Sequence, residues 1–329
     1  MKWKPDLSTG WEKMINAARW DIKHNPFGTF TTKGADPDFN LLRCNILIKC
    51  LEEYYMKEIL KEEVGRSLRS RGMALSLILG GIVSAAQVIQ YQIPKYQWNM
   101  TRDLGAYPIL YPSSVADSWI AGSPVYLENF LYFLIIPILA VLPFGISYFS
   151  DQSSGFLKGL YTRTSRKDYL TAKYIAAFVS GGLAVLLPLV LNLLCAMALL
   201  PNLAPQSVFS NNGICAANLF YRLYFSHPVI YIILFLGIDF VMGGIWACVA
   251  LACSFLSDYK IVVAVCPFFL QLGIHVICTM LNGLDYSSVY FIQSGYGMKN
   301  AIVPAVYVIL GLVASWIIFR KKGGGEDIF

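Results

Sequence analysis

Six long runs of apolar residues, separated by shorter polar stretches, form the main pattern along the chain. They cover approximately residues 73–91, 130–148, 174–200, 229–256, 261–281 and 301–319. A helix needs about 20 apolar residues to cross a hydrocarbon core of roughly 30 Å, and each run is about that long. The pattern therefore predicts an all-α, polytopic membrane protein with six transmembrane helices.

The residues before the first run divide into two parts. Residues 1–40 carry several proline and glycine breakers and no apolar stretch, so we expect a cytoplasmic leader without a cleavable signal peptide. Residues 41–64 place apolar side chains at three- and four-residue spacing, which is typical of an amphipathic helix. Such a helix either lies in the membrane interface or packs on the leader or a soluble partner. The predicted organisation is 1–40 leader, 41–72 interfacial helix and linker, 73–320 transmembrane domain and 321–329 cytoplasmic tail.

Basic residues are distributed very unequally between the two sides of the predicted membrane domain. Of the 26 lysines and arginines, all but Lys95, Arg102, Arg222 and Lys299 fall on the side that carries both termini. By the positive-inside rule, both termini and the loop between spans two and three are cytoplasmic. The net charge of +6 reflects this bias and an attraction to anionic lipid rather than nucleic-acid binding. The predicted location is the plasma or inner membrane of the cell.

Small and polar residues within the runs predict how the helices pack. Ser76, Gly80 and Ser84 form one stripe in span one, and similar stripes pair Gly243 with Ala247 and Gly311 with Ser315. Small residues let helix backbones approach closely in lipid. We expect Asn192 in span three to make hydrogen bonds between helices.

The loop between spans two and three carries the strongest functional signal. It begins with Ser150 and Asp151, either of which can cap a following helix. A short helix through Phe156, Leu157 and Leu160 would present an apolar knob. The loop then continues into span three as the stretch Arg163-Thr164-Ser165-Arg166-Lys167-Asp168-Tyr169-Leu170-Thr171-Ala172-Lys173.

This stretch, in this topology, resembles bacterial ATP-binding-cassette type-2 (ABC-2) exporter permeases. The resemblance covers roughly residues 41–320 and implies a short cytoplasmic coupling helix that fits a groove on a separate ATPase subunit. The residues that it assigns to this coupling surface are Asp151, Gly155, Phe156, Leu157, Lys158, Leu160, Arg163, Arg166 and Lys167. Many members carry a glutamate early in the helix, where this chain has Gln152, Ser153 and Ser154.

The resemblance implies a transport subunit that is not itself an enzyme. The sequence contains no phosphate-binding G-x-x-x-x-G-K-[ST] run, so ATP and Mg²⁺ would bind to the partner ATPase, and this chain would hold no cofactor. The implied partners are ATPase subunits, a second permease subunit in a homodimer or heterodimer, and membrane lipid. The implied cargo is a peptide or antibiotic, a lipid or a similar amphipathic molecule. No Cys or His spacing predicts a metal site.

Asp239, Gln271 and His275 are the candidate polar residues inside the membrane. Asp239 lies near the middle of span four, and Gln271 and His275 lie at neighbouring depths in span five. An unpaired carboxylate is costly there, so Asp239 either makes a hydrogen bond that joins spans four and five or serves transport directly. Two other functions stay open: an ion- or proton-coupled transporter that works alone, and a membrane sensor or accessory subunit that transports nothing.

Overall fold

The computed structural model describes residues 56–101, 112–123, 125–161, 165–205, 214, 216–255 and 257–325. Six helices in this part of the chain are long and apolar enough to cross a membrane, which confirms the six predicted spans. They are Arg71–Thr101, Leu127–Ser153, Arg166–Leu199, Pro228–Cys253, Lys260–Met280 and Ile302–Gly323. The leader, most of the predicted amphipathic helix, Arg163 and residues 326–329 lie outside the described residues.

The described residues form thirteen α-helices, which we number in chain order. They are α1 (56–68), α2 (Arg71–Gln87), α3 (Ile93–Thr101), α4 (Val115–Ser118), α5 (Leu127–Phe144), α6 (Ser147–Ser153), α7 (Phe156–Tyr161), α8 (Arg166–Leu199), α9 (Tyr221–Ser226), α10 (Pro228–Cys253), α11 (Lys260–Met280), α12 (Ser288–Phe291) and α13 (Ile302–Gly325). A π-helix, Val88–Gln92, joins α2 to α3. The first span is therefore longer than its apolar run, which ends at residue 91.

Local sequence explains where the helices begin. Ser70 caps α2 by accepting a hydrogen bond from the backbone N–H of Met73 at 3.0 Å. Ser165 caps α8 in the same way through the N–H of Asp168. Pro228 stands in the first turn of α10, where its missing N–H costs nothing.

The antiparallel pair α8 and α10 forms the centre of the bundle, and glycines set how closely the two helices approach. A Cβ atom added to Gly181 of α8 would lie 2.5 Å from the Cβ of Ala247, and one added to Gly243 of α10 would lie 2.9 Å from the side chain of Val185. The predicted stripe in span one also packs: a Cβ at Gly80 would meet Pro188 at 2.8 Å. These small residues allow the close packing that holds helices together in lipid.

We call the end of the bundle that contains α1, α6, α7 and the α10–α11 turn the basic end. At the opposite end, the described segments 112–123 and 284–300 pack against each other. Trp119 and Ile120 are fully buried. The carbonyl of Ala121 accepts hydrogen bonds from the N–H of Gly295 at 2.7 Å and from the hydroxyl of Ser294 at 3.0 Å. The segments 112–123 and 284–300 therefore close this end of the bundle together.

Candidate functional site

Five side chains from three helices meet in a buried ionic cluster at the basic end. They are Glu63 and Arg66 of α1, Asp151 of α6, and Tyr169 and Lys173 of α8. α1 is distant in sequence from the other two helices, whereas α6 and α8 are separated only by the short α7, and the cluster joins all three beside α7. We call it the ionic cluster.

Asp151 is the centre of the ionic cluster. One carboxylate oxygen accepts from Arg66, and the other accepts from Lys173 and, at 2.8 Å, from the hydroxyl of Tyr169. Glu63 binds the same two cations, with its oxygens 3.2 Å from the Nζ of Lys173 and 3.3 Å from the guanidinium of Arg66. Two carboxylates therefore balance two cations, and every charge has a hydrogen-bonded partner of opposite sign.

Apart from Arg66, the charged members of the ionic cluster are buried, which makes their pairing important. The side chain of Lys173 is fully buried, and those of Asp151 and Glu63 are less than a tenth exposed. The ring of Phe144 lies 4.4 Å from the Nζ of Lys173 and supplies a cation–π contact. A buried charge without a partner costs several kcal/mol, so each member of the cluster depends on the others.

Arg66 is the most exposed member and lies outside the spans. Its partial burial would lower its pKa, but the hydrogen bond and the negative charge of Asp151 outweigh this effect and raise the pKa above its usual value. The guanidinium also lies 5.5 Å from the ring of Phe144 and 5.7 Å from the ring of Phe156. Arg66 thus connects the ionic cluster to the first residue of α7.

The predicted apolar knob does not point in one direction. The side chain of Phe156 is 48% exposed, but Leu157 is buried in the core and Leu160 packs partly against it. Leu157 therefore anchors α7 to its own protein, and its assignment to the coupling surface stays a prediction. The surface that α7 offers consists of Phe156, Lys158 and Gly159, together with residues 152–155 before it.

Asp151 also differs from its predicted role as a helix cap. It lies inside α6, and its carboxylate is occupied by the ionic cluster. The chain turns from α6 into α7 at Gly155, which has φ +73°, a left-handed conformation that other residues adopt at a cost of about 1 kcal/mol or more. Glycine here sets the angle between the two short helices.

The predicted basic residues of this loop have different environments. Lys158 and Lys167 are exposed, whereas Arg166 is half-buried with its guanidinium 5.3 Å from the ring of Tyr161. Arg163 lies outside the described residues. Lys158 and Lys167 are thus the described charges available to a partner at this surface.

Sequence reasoning did not identify Glu63 or Arg66 as site residues, and it treated Tyr169 and Lys173 only as part of a motif. One signal could have found the second pair: they lie four residues apart, on one face of α8. Glu63 and Arg66 share the i, i+3 spacing. No local pattern, however, indicates that these two helix faces meet at Asp151.

The three candidate polar residues of spans four and five are not joined to one another by any hydrogen bond among the described residues. Gln271 donates to the carbonyl oxygens of Phe133 at 2.9 Å and Leu134 at 3.2 Å, and the Nδ1 of His275 lies 2.9 Å from the hydroxyl of Ser287. Both carboxyl oxygens of Asp239 are fully buried without a hydrogen-bond partner in the described part of the chain. Among the described residues, Asp239 therefore makes no hydrogen bond to span five.

A second buried polar group, made of three amide side chains, lies toward the opposite end. Asn192 of α8 binds Gln87 at 2.8 Å and Gln92 at 3.0 Å, and its carbonyl oxygen also accepts from the N–H of Ile120 at 2.8 Å. Its amide nitrogen donates to the carbonyl of Ser84 at 3.2 Å. Asn192 thus joins α8 to the first span and to the buried segment 112–123, which confirms its predicted role between helices.

Comparison of the chain with models of known families, with curated proteins and with solved structures finds no match in any of the three.

Proposed function

We propose that this chain is the transmembrane permease subunit of an ATP-driven exporter of the ABC-2 type. In this proposal a separate ATPase binds ATP and Mg²⁺, a second permease subunit completes the pathway, and the cargo is a peptide, lipid or similar amphipathic molecule. The observation that carries the proposal is the pair α6–α7, which exposes residues 152–156, Lys158 and Gly159 at the basic end while the ionic cluster holds α6 to two other helices.

A surface that receives force from a partner must be exposed on one side and rigidly connected on the other. The exposed face of α7 meets the first need, and the buried Leu157 and the ionic cluster meet the second. Moving α6 away from α8 would break the pair between Asp151 and Lys173, at a cost of about 3–5 kcal/mol. A push on α7 is therefore transmitted to the start of α8 and to α1 rather than absorbed locally.

Phe156 and Leu157 provide a matched test of this surface. We expect Phe156→Ala to weaken binding of the ATPase by about 30-fold, since a half-exposed aromatic anchor contributes about 2 kcal/mol at an interface. Leu157→Ala should instead lower the thermal stability of the chain by opening a cavity, with the folded fraction still binding. The measurement is quantitative pull-down from membranes of the source cell, with the bound P-loop ATPase identified by mass spectrometry.

Two results would contradict the proposal. The first is that no P-loop ATPase is recovered with the intact chain at normal abundance. The second is that a recovered ATPase binds the Phe156→Ala and Lys158→Glu variants as tightly as the original chain.

In the part of the chain that the structure describes, the carboxyl of Asp239 has no hydrogen-bond partner, and this favours a second candidate, a transporter coupled to protons or cations that works without an ATPase. A fully buried carboxyl without a hydrogen bond is an expensive feature that purely structural acids avoid. In the second candidate, Asp239→Asn abolishes transport while the thermal stability stays unchanged. In the ATP-driven exporter with a structural Asp239, the Asn variant transports normally and Asp239→Leu alters stability.

Reconstitution separates the two candidates. Liposomes that contain the purified chain alone, with a pH-sensitive dye inside, are subjected to a proton gradient. Proton flux that disappears in Asp239→Asn supports the second candidate. Its absence, together with ATP-dependent transport after addition of the ATPase, supports the first.

A further inference from the structure

Two cysteine thiols contact each other at the basic end of the bundle. The Sγ atoms of Cys253 and Cys266 are 3.1 Å apart. Both residues are free thiols, with Cys253 buried and Cys266 half-buried. Among the described cysteines, this is the one recorded contact between two thiols.

The contact between the two thiols follows from where the two cysteines lie on consecutive helices. Cys253 is the last residue of α10, and Cys266 lies in the second turn of α11. α10 ends at Cys253 and α11 begins at Lys260, so the end of one helix lies close to the beginning of the next. A disulfide bond has an S–S length of about 2.05 Å, so the sulfur atoms need to approach by only about 1 Å.

The thiol pair also lies beside the surface to which we assign partner binding. An open groove of about 480 Å³ lies between the α10–α11 turn and α6, with Ser254, Phe255 and Asp258 on one side and Phe149 and Gln152 on the other. Ser254 follows Cys253 directly in sequence, so a covalent link at Cys253 would restrain the chain next to this groove.

We propose that Cys253 and Cys266 are an oxidation site that closes into an intramolecular disulfide. The co-reactant is a two-electron thiol oxidant, such as an azo compound or a small disulfide. Two S–H bonds break and one S–S bond forms, and the two electrons and two protons pass to the oxidant, whose azo group becomes a hydrazine. Reduction by a dithiol reverses the reaction.

The predicted cytoplasmic position of the pair determines its resting redox state. The cytoplasm keeps thiols reduced, so the pair is in the dithiol form at rest and closes when oxidant accumulates. The link then holds α11 against α10 and prevents the turn from moving relative to α6. This consequence for coupling depends on the proposed function, whereas formation of the disulfide does not.

The test is oxidation of the purified full-length chain in detergent. The protein is treated with diamide, the remaining thiols are alkylated, and the digest is examined by mass spectrometry. We expect a peptide in which a disulfide links Cys253 to Cys266. Dithiothreitol should cleave this link, and the linked peptide should be absent from the digest of Cys266→Ser. Cys278, on the same helix and with no thiol neighbour among the described residues, should stay alkylated as the internal control.

The proposal is wrong if Cys253 and Cys266 stay alkylated at a diamide concentration that fully oxidises glutathione in the same solution. A link from Cys266 to a second copy of the chain would equally overturn it. In the complex with the ATPase, we expect diamide to lower stimulated ATP hydrolysis in the original chain but not in Cys266→Ser. If the linked peptide forms but the rate of ATP hydrolysis does not change, the oxidation site is supported and its effect on coupling is rejected.

Discussion

At the scale of single residues, Lys173 shows how much depends on pairing in the ionic cluster. Its Nζ is fully buried and contacts both Asp151 and Glu63. A lysine in such a place is tolerated because two carboxylates and an aromatic face replace the water that it loses. The same arrangement makes the carboxylates depend on Lys173, since Arg66 alone would leave one negative charge uncompensated.

We expect Lys173→Met to lower the free energy of unfolding by about 3–5 kcal/mol, because it leaves a buried carboxylate unpaired. The measurement is the thermal unfolding of purified protein in detergent. Lys158→Met, at an exposed lysine in the same region, is the matched control and should change stability by less than about 0.5 kcal/mol. Equal stability of the two variants would show that the cluster is not a closed network. Adding Asp151→Asn to Lys173→Met should recover part of the loss, since it removes the charge left behind.

At the scale of elements, the π-helix Val88–Gln92 orients two glutamine side chains toward a neighbouring helix. The π-turn adds one extra residue to the helical turn, so the side chains of Gln87 and Gln92 both reach Asn192. The two glutamines also bind each other at 2.9 Å. In a regular α-helix, residues five apart point about 140° apart and could not both reach the same partner. The unfavourable π-turn is thus stabilised by the buried amide group, and π-turns of this kind are frequent at functional positions.

Deleting Ile89 tests the π-helix directly. The side chain of Ile89 is 65% exposed, so its loss removes little packing, but the deletion lets the segment become a regular α-helix and rotates α3 by about 100°. We expect the contact between Gln92 and Asn192 to be lost and the unfolding midpoint to fall by several degrees. Ile89→Ala, which keeps the chain length, is the control and should stay near the original midpoint. A deletion variant as stable as Ile89→Ala would show that the π-turn has no structural role.

At the scale of the whole molecule, exposed apolar side chains cover the long helices and charged residues gather at the two ends. Exposed leucine, isoleucine and valine side chains run along α2, α11 and α13, as lipid-facing surfaces require. The helices contain few charges between their ends, and among the described residues the basic end carries most of the lysines and arginines. The orientation of this bundle in the membrane follows from that asymmetry and stays a prediction.

Labelling of single cysteines in intact cells tests the orientation. In a background without the native cysteines, a membrane-impermeant maleimide should modify Asn300→Cys, which is exposed at the end opposite the basic end. It should leave Lys158→Cys, which is exposed on α7, unmodified until the cells are permeabilised. Labelling of Lys158→Cys in intact cells would reverse the predicted orientation, and with it the side from which a cytoplasmic ATPase could bind.

The sequence by itself determined the number of spans and their approximate limits. Transfer of apolar side chains into lipid depends on composition along one helix, so a run such as 229–256 predicts α10 without knowledge of its neighbours. Local rules were equally sufficient for the small-residue stripes and for the interhelical role of Asn192. They also predicted a short helix between the second and third spans, where the structure has α7, and the coupling role of this helix is a proposal.

Only the tertiary structure decided which polar groups meet. Glu63 and Asp151 are 88 positions apart in the printed sequence, and the face that each helix presents depends on how all the helices pack. Tertiary packing also buried Leu157 and placed Asp151 in the ionic cluster rather than at a helix cap. Among the described residues it gave Asp239 no hydrogen-bond partner. The physical reason is that hydrophobicity acts on each segment separately, whereas a buried charge is stable only where chain segments distant in sequence bring it a partner.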